Sequence, residues 1–303
     1  MNYRATLAFP LLLLACGGGD SQPATSETPE ETPTVYTVNY PLQYFAQRIA
    51  GDLVQVEFPA PAEEDPAFWT PGAEAIAGFQ SADLILLNGA AYAKWLAVVS
   101  LPESRLVNTS AGFEDRYIHM ESAITHSHGP GGDHSHEGTA FTTWLDPTIA
   151  VEHARAIKDA FSSRWPDHAQ EFSAGFDALE QDLWDLDRQL AEVVALDPDK
   201  DFLASHPVYQ YLTRRYDLHL HAVQWEPGEA PSPAMWRDLQ ALLREHSAQW
   251  MLWEGEPLAE TASELRALGV EPIVFDQCGN APESGDYLSV MRANVENLRR
   301  AYR

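Results

Sequence analysis

Basic residues are scarce in this sequence. Among its 303 residues, 19 Lys and Arg stand against 45 Asp and Glu, which gives a formal net charge of −26 at pH 7. Binding to nucleic acid depends on clustered Lys and Arg that neutralise phosphates. The composition therefore excludes a nucleic-acid-binding protein. Two cysteines are also too few for a disulfide framework.

Motifs of common catalytic sites are missing as well. The chain contains no Gly-x-Ser-x-Gly, no His-Glu-x-x-His, no Cys-x-x-Cys and no Gly-rich phosphate loop ending in Lys. These motifs place nucleophiles, zinc ligands, redox thiols and phosphates, so nothing in the sequence points to an enzyme. The 45% of hydrophobic and 11% of aromatic residues are enough for a sizeable core.

The first apolar run of the chain is short. It extends from Leu7 to Leu14 behind Arg4, and a run of this length cannot cross a hydrocarbon layer of about 30 Å. Residues 1–15 are therefore predicted to be a cleaved signal peptide. Leu-Leu-Ala followed by Cys16 resembles a bacterial lipobox, which implies a lipid anchor on Cys16, whereas a plain secretory signal is the alternative. Residues 16–34, rich in Gly, Ser, Thr, Pro and Glu, are predicted to be a flexible tether.

Two series of short β-rich runs alternate with helical periods. The strand-like runs of the first series are 35–39, 54–58, 83–88 and 105–108, with helices at 42–49, 73–79 and 90–98. Those of the second are 202–205, 220–224, 250–253 and 273–275, with helices at 208–216, 233–246, 259–268 and 286–302. Such alternation is typical of βαβ units. We predict an α/β protein of two lobes, residues 35–146 and 197–303, each with a mainly parallel sheet and flanking helices.

Residues 147–196 carry no strand signal and are predicted to be helical. Pro166 interrupts the helix after Trp165. Beyond it, apolar side chains recur every three or four positions, at Phe172, Phe176, Leu179, Leu183, Leu186, Leu190 and Val193. This period predicts one long amphipathic helix that joins the two lobes rigidly.

A histidine-rich segment, residues 126–136, interrupts the first lobe. It holds four of the eleven histidines, among Gly, Ser and Asp: His126, His128, His134 and His136. Neutral imidazole is a common ligand of transition metals, and a Gly-rich backbone lets several rings converge on one ion. The segment therefore predicts a metal-binding loop, and a solvated polar loop is the alternative.

Two side chains of the second lobe follow predicted strands directly. His206 comes after the strand at 202–205, and Asp276 comes after the strand at 273–275. Ligands of α/β sheets bind at the carboxyl ends of the strands, and an imidazole with a carboxylate suits Zn²⁺ or Mn²⁺. A lone histidine is also often a packed or capping residue. Cys278 could add a thiolate here, although a single cysteine is more often a small buried hydrophobe.

Several segments in order resemble the zinc/manganese substrate-binding lipoproteins of bacterial ABC transporters. They are Tyr40-Pro41-Leu42, the run from Ala82 to Gly89, Trp144-Leu145-Asp146-Pro147, the run from Ser205 to Leu212, and Val274-Phe275-Asp276. The resemblance implies a monomer outside the cytoplasm that captures Zn²⁺, or else Mn²⁺, between two lobes and delivers it to an ABC permease. It also assigns His206 and Asp276 to the two metal-ligand positions of the second lobe.

The first-lobe ligand positions depart from this family. Ala67 and Thr142 stand where the family has histidines; alanine cannot coordinate a metal, and a neutral hydroxyl is a poor ligand. Either the histidine-rich loop supplies the missing imidazoles, or acidic side chains near Ala67 supply oxygen ligands, which would favour Mn²⁺. The acidic candidates are Glu64 and Asp65, together with Glu63.

Two other functions stay open at this point. One is a degenerate binding protein for an organic ligand, whose pocket would be lined by Trp69, Trp144, Trp225 and Trp253. The other is a metal-dependent hydrolase, which would need three firm ligands and a general base.

Overall fold

The first sheet lies in the amino-terminal part of the region that the computed structural model describes. This region comprises residues 1, 32–120 and 138–303, with the backbone of Thr125–Ser127 and Asp133–Ser135. Cys16, His128 and His136 lie outside the described residues, as do nearly all of the predicted signal peptide and tether. Thr32–Arg303 form one compact unit.

All four strands of the first sheet are parallel, in the order β2-β1-β3-β4. They and their helices are β1 (Thr34–Thr37), α1 (Tyr40–Ala50), β2 (Gln55–Glu57), α2 (Ala73–Ser81), β3 (Leu84–Leu87) and β4 (Leu106–Asn108). The helix predicted at 90–98 is wrong. Ala90 and Ala91 have φ values of 48° and 53°, a left-handed conformation that cannot continue into a right-handed helix. Only a 3₁₀ turn, Lys94–Ala97, forms there.

Short antiparallel strands occupy the end of the first lobe. β5 (His119–Met120) pairs with β8 (Gly138–Thr139), and between them β6 (Thr125–Ser127) pairs with β7 (Asp133–Ser135). The backbone register places His126 opposite His134. Part of the segment predicted to be a loop is therefore paired as β-structure.

Two helices follow, broken where the sequence predicts it. α3 (Pro147–Arg164) ends before Trp165, and a 3₁₀ turn at Pro166–His168 leads into α4 (Ala169–Val194). With 26 residues, α4 is about 39 Å long. The apolar residues predicted to face inward along α4 are all buried. α4 touches α1 so closely at Gly175 that a Cβ there would lie 2.5 Å from the Ile49 carbonyl oxygen.

The second sheet repeats the parallel pattern, in the order β10-β9-β11-β12. Its strands and helices are β9 (Asp201–Ala204), α5 (Gln210–Tyr216), β10 (His219–Ala222), α6 (Pro233–Glu245), β11 (Trp250–Trp253), α7 (Ala259–Ala267), β12 (Glu271–Val274) and α8 (Tyr287–Ala301). The α/β fold predicted from the sequence, with two parallel sheets, is confirmed.

One hydrophobic core extends through both lobes. A single cluster of buried side chains contains Phe45 of α1, Leu183 of α4 and Phe202 of β9. Polar contacts add to it, since the buried carboxylate of Asp187 on α4 accepts hydrogen bonds from Arg215 and from the Tyr216 hydroxyl of α5. None of the helices in the described residues combines the length and apolar character needed to cross a membrane.

Candidate metal centre

Each strand of the second sheet is followed by a polar side chain at its carboxyl end. His206 comes two residues after β9, Glu254 directly after β11 and Asp276 two residues after β12, while Glu226 lies four residues beyond β10. Parallel strands end at one edge of their sheet, so these four side chains meet in a single cavity between the lobes. This cavity has a volume of about 550 Å³.

His206, Glu226 and Glu254 form the tightest group in this cavity. Each offers a ligand atom, and these atoms all lie within 4.8 Å of one another; no other group of three metal-ligating side chains this close occurs in the described residues. His206 is 4% exposed. Its Nδ1 donates to Glu254 Oε1 at 2.8 Å, and its Nε2 lies 3.7 Å from Glu226 Oε1. The hydrogen bond to Glu254 therefore orients the ring so that Nε2 faces Glu226.

Glu254 is held in place by a second hydrogen bond. Gln277 Nε2 donates to Glu254 Oε2 at 2.5 Å, so each carboxylate oxygen of Glu254 has a partner. A carboxylate that accepts from one ring nitrogen fixes the tautomer of a metal-binding histidine and directs the other nitrogen to the ion. Glu254 thus has the contacts of a residue that positions His206.

Burial and charge act in opposite directions on the imidazole. Burial on its own lowers the pKa of His206, but the hydrogen bond and negative charge of Glu254, with the charges of Glu226 and Asp65, outweigh it, so this pKa is raised. Burial raises the pKa of Glu226. The positive charge of His206 acts against this increase, and the negative charge of Glu254 adds to it. These groups form an electrostatically negative site for a cation.

Asp276 lines the same cavity but lies outside the tight group of three. Its Oδ1 accepts from the backbone N–H of Cys278 at 2.7 Å, and its backbone N–H and C=O are both bonded to the Asn294 side chain. Burial, offset in part by the Cys278 bond, raises the pKa of Asp276. Cys278 itself is 2% exposed, and burial raises the pKa of its thiol, which matches the prediction of a small buried hydrophobe.

Among the described residues that line the cavity, those of the first lobe include acidic residues and no histidine. Ala67 is fully buried, and its N–H donates to Asp65 Oδ1 at 2.9 Å. Thr142 stands at the other position where the family has a histidine. It is also buried, and its hydroxyl donates to the Val208 carbonyl oxygen at 2.5 Å. Thr142 therefore joins the lobes by a hydrogen bond and has no role as a ligand in this arrangement.

Glu63, Glu64 and Asp65 line the cavity opposite the second-lobe group. A side chain of the second lobe fixes this acidic segment, because Asn280 Nδ2 donates to the carbonyl oxygens of Pro61 and Glu64 at 2.7 and 2.9 Å. No Lys or Arg lies among the described residues that line the cavity. The Coulomb attraction there is thus for cations.

The remaining sequence predictions divide in two. His126 and His134 have paired backbone positions on β6 and β7, whereas His128 and His136 lie outside the described residues, so their role stays a prediction. The prediction of a pocket lined by tryptophans is wrong for this cavity, because none of Trp69, Trp144, Trp225 and Trp253 lines the cavity. Trp144 is buried and donates from Nε1 to the Gln277 carbonyl oxygen at 2.7 Å.

Sequence reasoning missed Glu226 and Glu254. Glu254 directly follows the strand at 250–253, so the rule that ligands follow strand ends points to it as well. Glu226 lies further from its strand, and its sequence position alone gives no comparable signal.

Comparison with known proteins agrees with this architecture. The zinc-binding lipoprotein AdcA of Streptococcus pneumoniae is 27% identical over 278 residues, which cover 88% of this chain and 55% of AdcA, so the chain spans about half the length of that relative. The zinc uptake protein ZnuA of Bacillus subtilis is 25% identical over 304 residues, 97% of this chain and 95% of ZnuA.

Solved structures share the fold. The metal-dependent lipoprotein YcdH of Bacillus subtilis superposes with a TM-score of 0.75 at 22% identity, over 88% of this chain and 98% of YcdH. The Zn(II)-bound ZnuA-like domain of Streptococcus pneumoniae AdcA gives a TM-score of 0.74 at 22% identity, over 89% and 98% of the two chains. The sequence model of the periplasmic zinc-uptake complex component A, ZnuA, matches residues 35–301. The chain therefore belongs to the ZnuA family.

Proposed function

We propose that this protein is the substrate-binding component of a zinc ABC importer, which captures Zn²⁺ between its lobes and delivers it to a permease. The observation that carries the proposal is the group of His206, Glu226 and Glu254 in an acidic cavity between the lobes. Family membership and zinc-binding relatives support it. The ion is cargo, and no chemical step is part of this function.

The donor set suits a divalent transition metal. His206 offers Nε2, Glu226 offers a carboxylate oxygen 3.7 Å away, and Asp276 lines the same cavity. Two ligands of one tetrahedral zinc ion lie about 3.3 Å apart, given bonds of about 2.0 to 2.1 Å. A small inward shift of Glu226 brings this pair into range. Asp65 is the acidic candidate from the first lobe, because it lines the cavity and its charge acts on His206.

Metal titration of single variants tests this assignment. The untagged chain from Gly17 onward is stripped of metal and titrated with Zn²⁺ and, separately, Mn²⁺, in competition with a chromophoric chelator. His206→Ala and Glu226→Gln are expected to weaken Zn²⁺ binding more than Glu254→Gln, which acts through His206 and costs about 10- to 100-fold. Glu283→Gln, an exposed change in the same cavity, serves as the control and leaves the affinity unchanged.

Unchanged Zn²⁺ affinity in His206→Ala would overturn the site. Equal loss in the three carboxylate variants, with the Glu283→Gln control among them, would indicate a general charge effect in place of coordination. Tighter binding of Mn²⁺ than of Zn²⁺ would identify the carboxylate-rich set as selective for the harder ion.

The histidine-rich segment and the anchor complete the proposal. The segment supplies additional imidazoles through His126, His128, His134 and His136, and its deletion over residues 125–138 is expected to weaken Zn²⁺ binding or slow its capture.

Cys16 carries a lipid that holds the protein on the extracytoplasmic side of a membrane, where it acts as a monomer beside its permease. Cys16→Ala is expected to release the protein from the membrane fraction of expressing bacteria.

A further inference from the structure

A second cavity, of about 620 Å³, lies entirely within the second lobe. It opens between the segment that follows β10 and the helix α6, and its size is within the range of sites for small organic molecules. It differs from the interlobe cavity in its walls, although the two share Glu226.

One wall of this cavity is apolar. Val223, Trp225, Met235 and Leu242 line it, and Trp225 packs against Trp236 and Trp253 with ring centroids 4.7 and 6.2 Å apart. These edge-to-face contacts bury Trp225, which is 1% exposed, behind the partly exposed side chains of Val223, Met235 and Leu242. A preformed apolar surface of this kind favours a ligand with an apolar body.

The charged groups at the cavity are all carboxylates. Glu226, Glu229 and Asp238 line it, and no Lys, Arg or His does so among the described residues. Gln224 adds an acceptor, since its buried Oε1 has no hydrogen-bond partner within the described part of the chain. A buried acceptor without a donor costs free energy, which a ligand N–H would recover.

We propose that this cavity binds a small organic ammonium or guanidinium ion that carries an apolar body. The body packs on Val223, Met235 and Leu242, which line the cavity and are partly exposed, and the cationic end donates to the carboxylates and to Gln224 Oε1. An anion would be repelled by three carboxylates. A bare transition metal would find no nitrogen ligand, because the described lining contains no histidine.

Glu226 couples this cavity to the metal centre. Glu226 lines both cavities, and its Oε1 lies 3.7 Å from His206 Nε2. An organic cation that pairs with Glu226 withdraws the carboxylate from the metal, and bound metal withdraws it from the organic cation. By linkage each ligand weakens the other by the same factor. This coupling rests on the proposed function, whereas binding of the organic cation does not.

Calorimetry with three probes of one shape tests the cavity. 2-Phenylethylammonium, neutral 2-phenylethanol and anionic 3-phenylpropionate are titrated into the metal-free chain from Gly17 onward. The ammonium ion is expected to bind about tenfold more tightly than the alcohol, with no binding of the anion. Equal affinity for all three probes, or no binding of the ammonium ion, would overturn the proposal.

Matched variants locate the binding. The double variant Glu229→Gln, Asp238→Asn removes two carboxylates of the cavity. It is expected to bind the ammonium probe about tenfold more weakly than the wild type. Glu260→Gln combined with Glu264→Gln removes the same charge from exposed positions of α7 and is expected to have no effect. Gln224→Met tests the unpartnered acceptor and is also expected to weaken binding. Equal effects of the two double variants would show that the protein's overall charge attracts the probe, and would overturn the site.

Zinc titration of the first double variant separates the two sites. Neither Glu229 nor Asp238 lines the interlobe cavity, although the charge of Glu229 acts on Glu226, so Zn²⁺ affinity is expected to fall far less than in Glu226→Gln. In the wild type, saturating 2-phenylethylammonium is expected to weaken Zn²⁺ binding. If the probe binds in this cavity while Zn²⁺ affinity stays the same, the coupling through Glu226 is refuted and the organic site stands.

Discussion

His153 is expected to make this protein less stable as the pH falls below neutrality. Its ring lies fully buried on α3, with Nδ1 2.7 Å from the Thr109 hydroxyl and Nε2 2.8 Å from the Thr143 hydroxyl. The Thr109 hydroxyl donates its proton to the Leu87 carbonyl oxygen, so it accepts from Nδ1, and Nε2 accepts from Thr143. Both ring nitrogens are therefore satisfied in the neutral form.

The magnitude follows from the difference in proton affinity between the folded and unfolded chains. Burial, with a smaller contribution from the Arg116 charge, lowers the pKa of His153 from 6.5 to about 3. Below pH 6.5 the unfolded chain binds a proton at this position that the folded chain does not, so stability falls with pH until the folded pKa is reached. Between pH 7.5 and 5 the loss is about 2 kcal/mol, from about 1.4 kcal/mol per pH unit below the unfolded pKa.

Urea unfolding at several pH values measures this loss. His153→Gln keeps a donor and an acceptor but does not titrate, so the wild-type stability minus that of the variant should fall by about 2 kcal/mol between pH 7.5 and 5. Titrations elsewhere in the chain cancel in this difference. His119→Gln, at an exposed position, is the control and should leave the wild-type pH dependence intact. Parallel curves for the wild type and His153→Gln would refute the reasoning.

Three further predictions concern packing. Asp187→Ala leaves the guanidinium and hydroxyl of α5 without their acceptor and is expected to cost about 2 to 3 kcal/mol in urea unfolding, whereas Asp177→Ala, exposed on the same helix, should cost little. Gly175→Ala places a Cβ 2.5 Å from the Ile49 carbonyl oxygen and should cost about 1 to 3 kcal/mol by the same measurement; an unchanged midpoint would mean that α4 can shift. Cys278 should resist iodoacetamide in the native state and react on unfolding, as followed by mass spectrometry, and rapid native labelling would contradict its burial.

The regular part of the fold was predictable because its signals are local and repeated. The spacing of Phe172, Leu183 and Leu190 determines one face of α4, and that face is buried. Pro166 determines where the preceding helix stops. By contrast, the helix predicted at 90–98 fails where Ala90 and Ala91 adopt a left-handed conformation, directly after Gly89, at which a Cβ would overlap the Ser110 hydroxyl.

The candidate site was predictable only in part, since its geometry depends on which loops share an edge of the sheet. His206 and Asp276 follow strand ends and were found by that rule. Glu226 reaches the site through a longer segment after β10, and only the folded chain shows that it faces His206. Thr142 is recognisable in sequence as a missing ligand, whereas its hydrogen bond to Val208 depends on the contact between the lobes.

Asp182 of α4 pairs with Arg48 of α1 at 2.7 Å and with Arg292 of α8 at 3.2 Å, along the helix whose apolar face belongs to the core shared by both sheets. The helix α4 therefore packs on both halves of the molecule. Cutting the chain between the halves would expose the apolar face of α4 to water on one fragment and remove the packing partner of the other fragment. Heat is therefore expected to melt the whole of Thr32–Arg303 in a single calorimetric transition, and fragments expressed separately are expected to be insoluble.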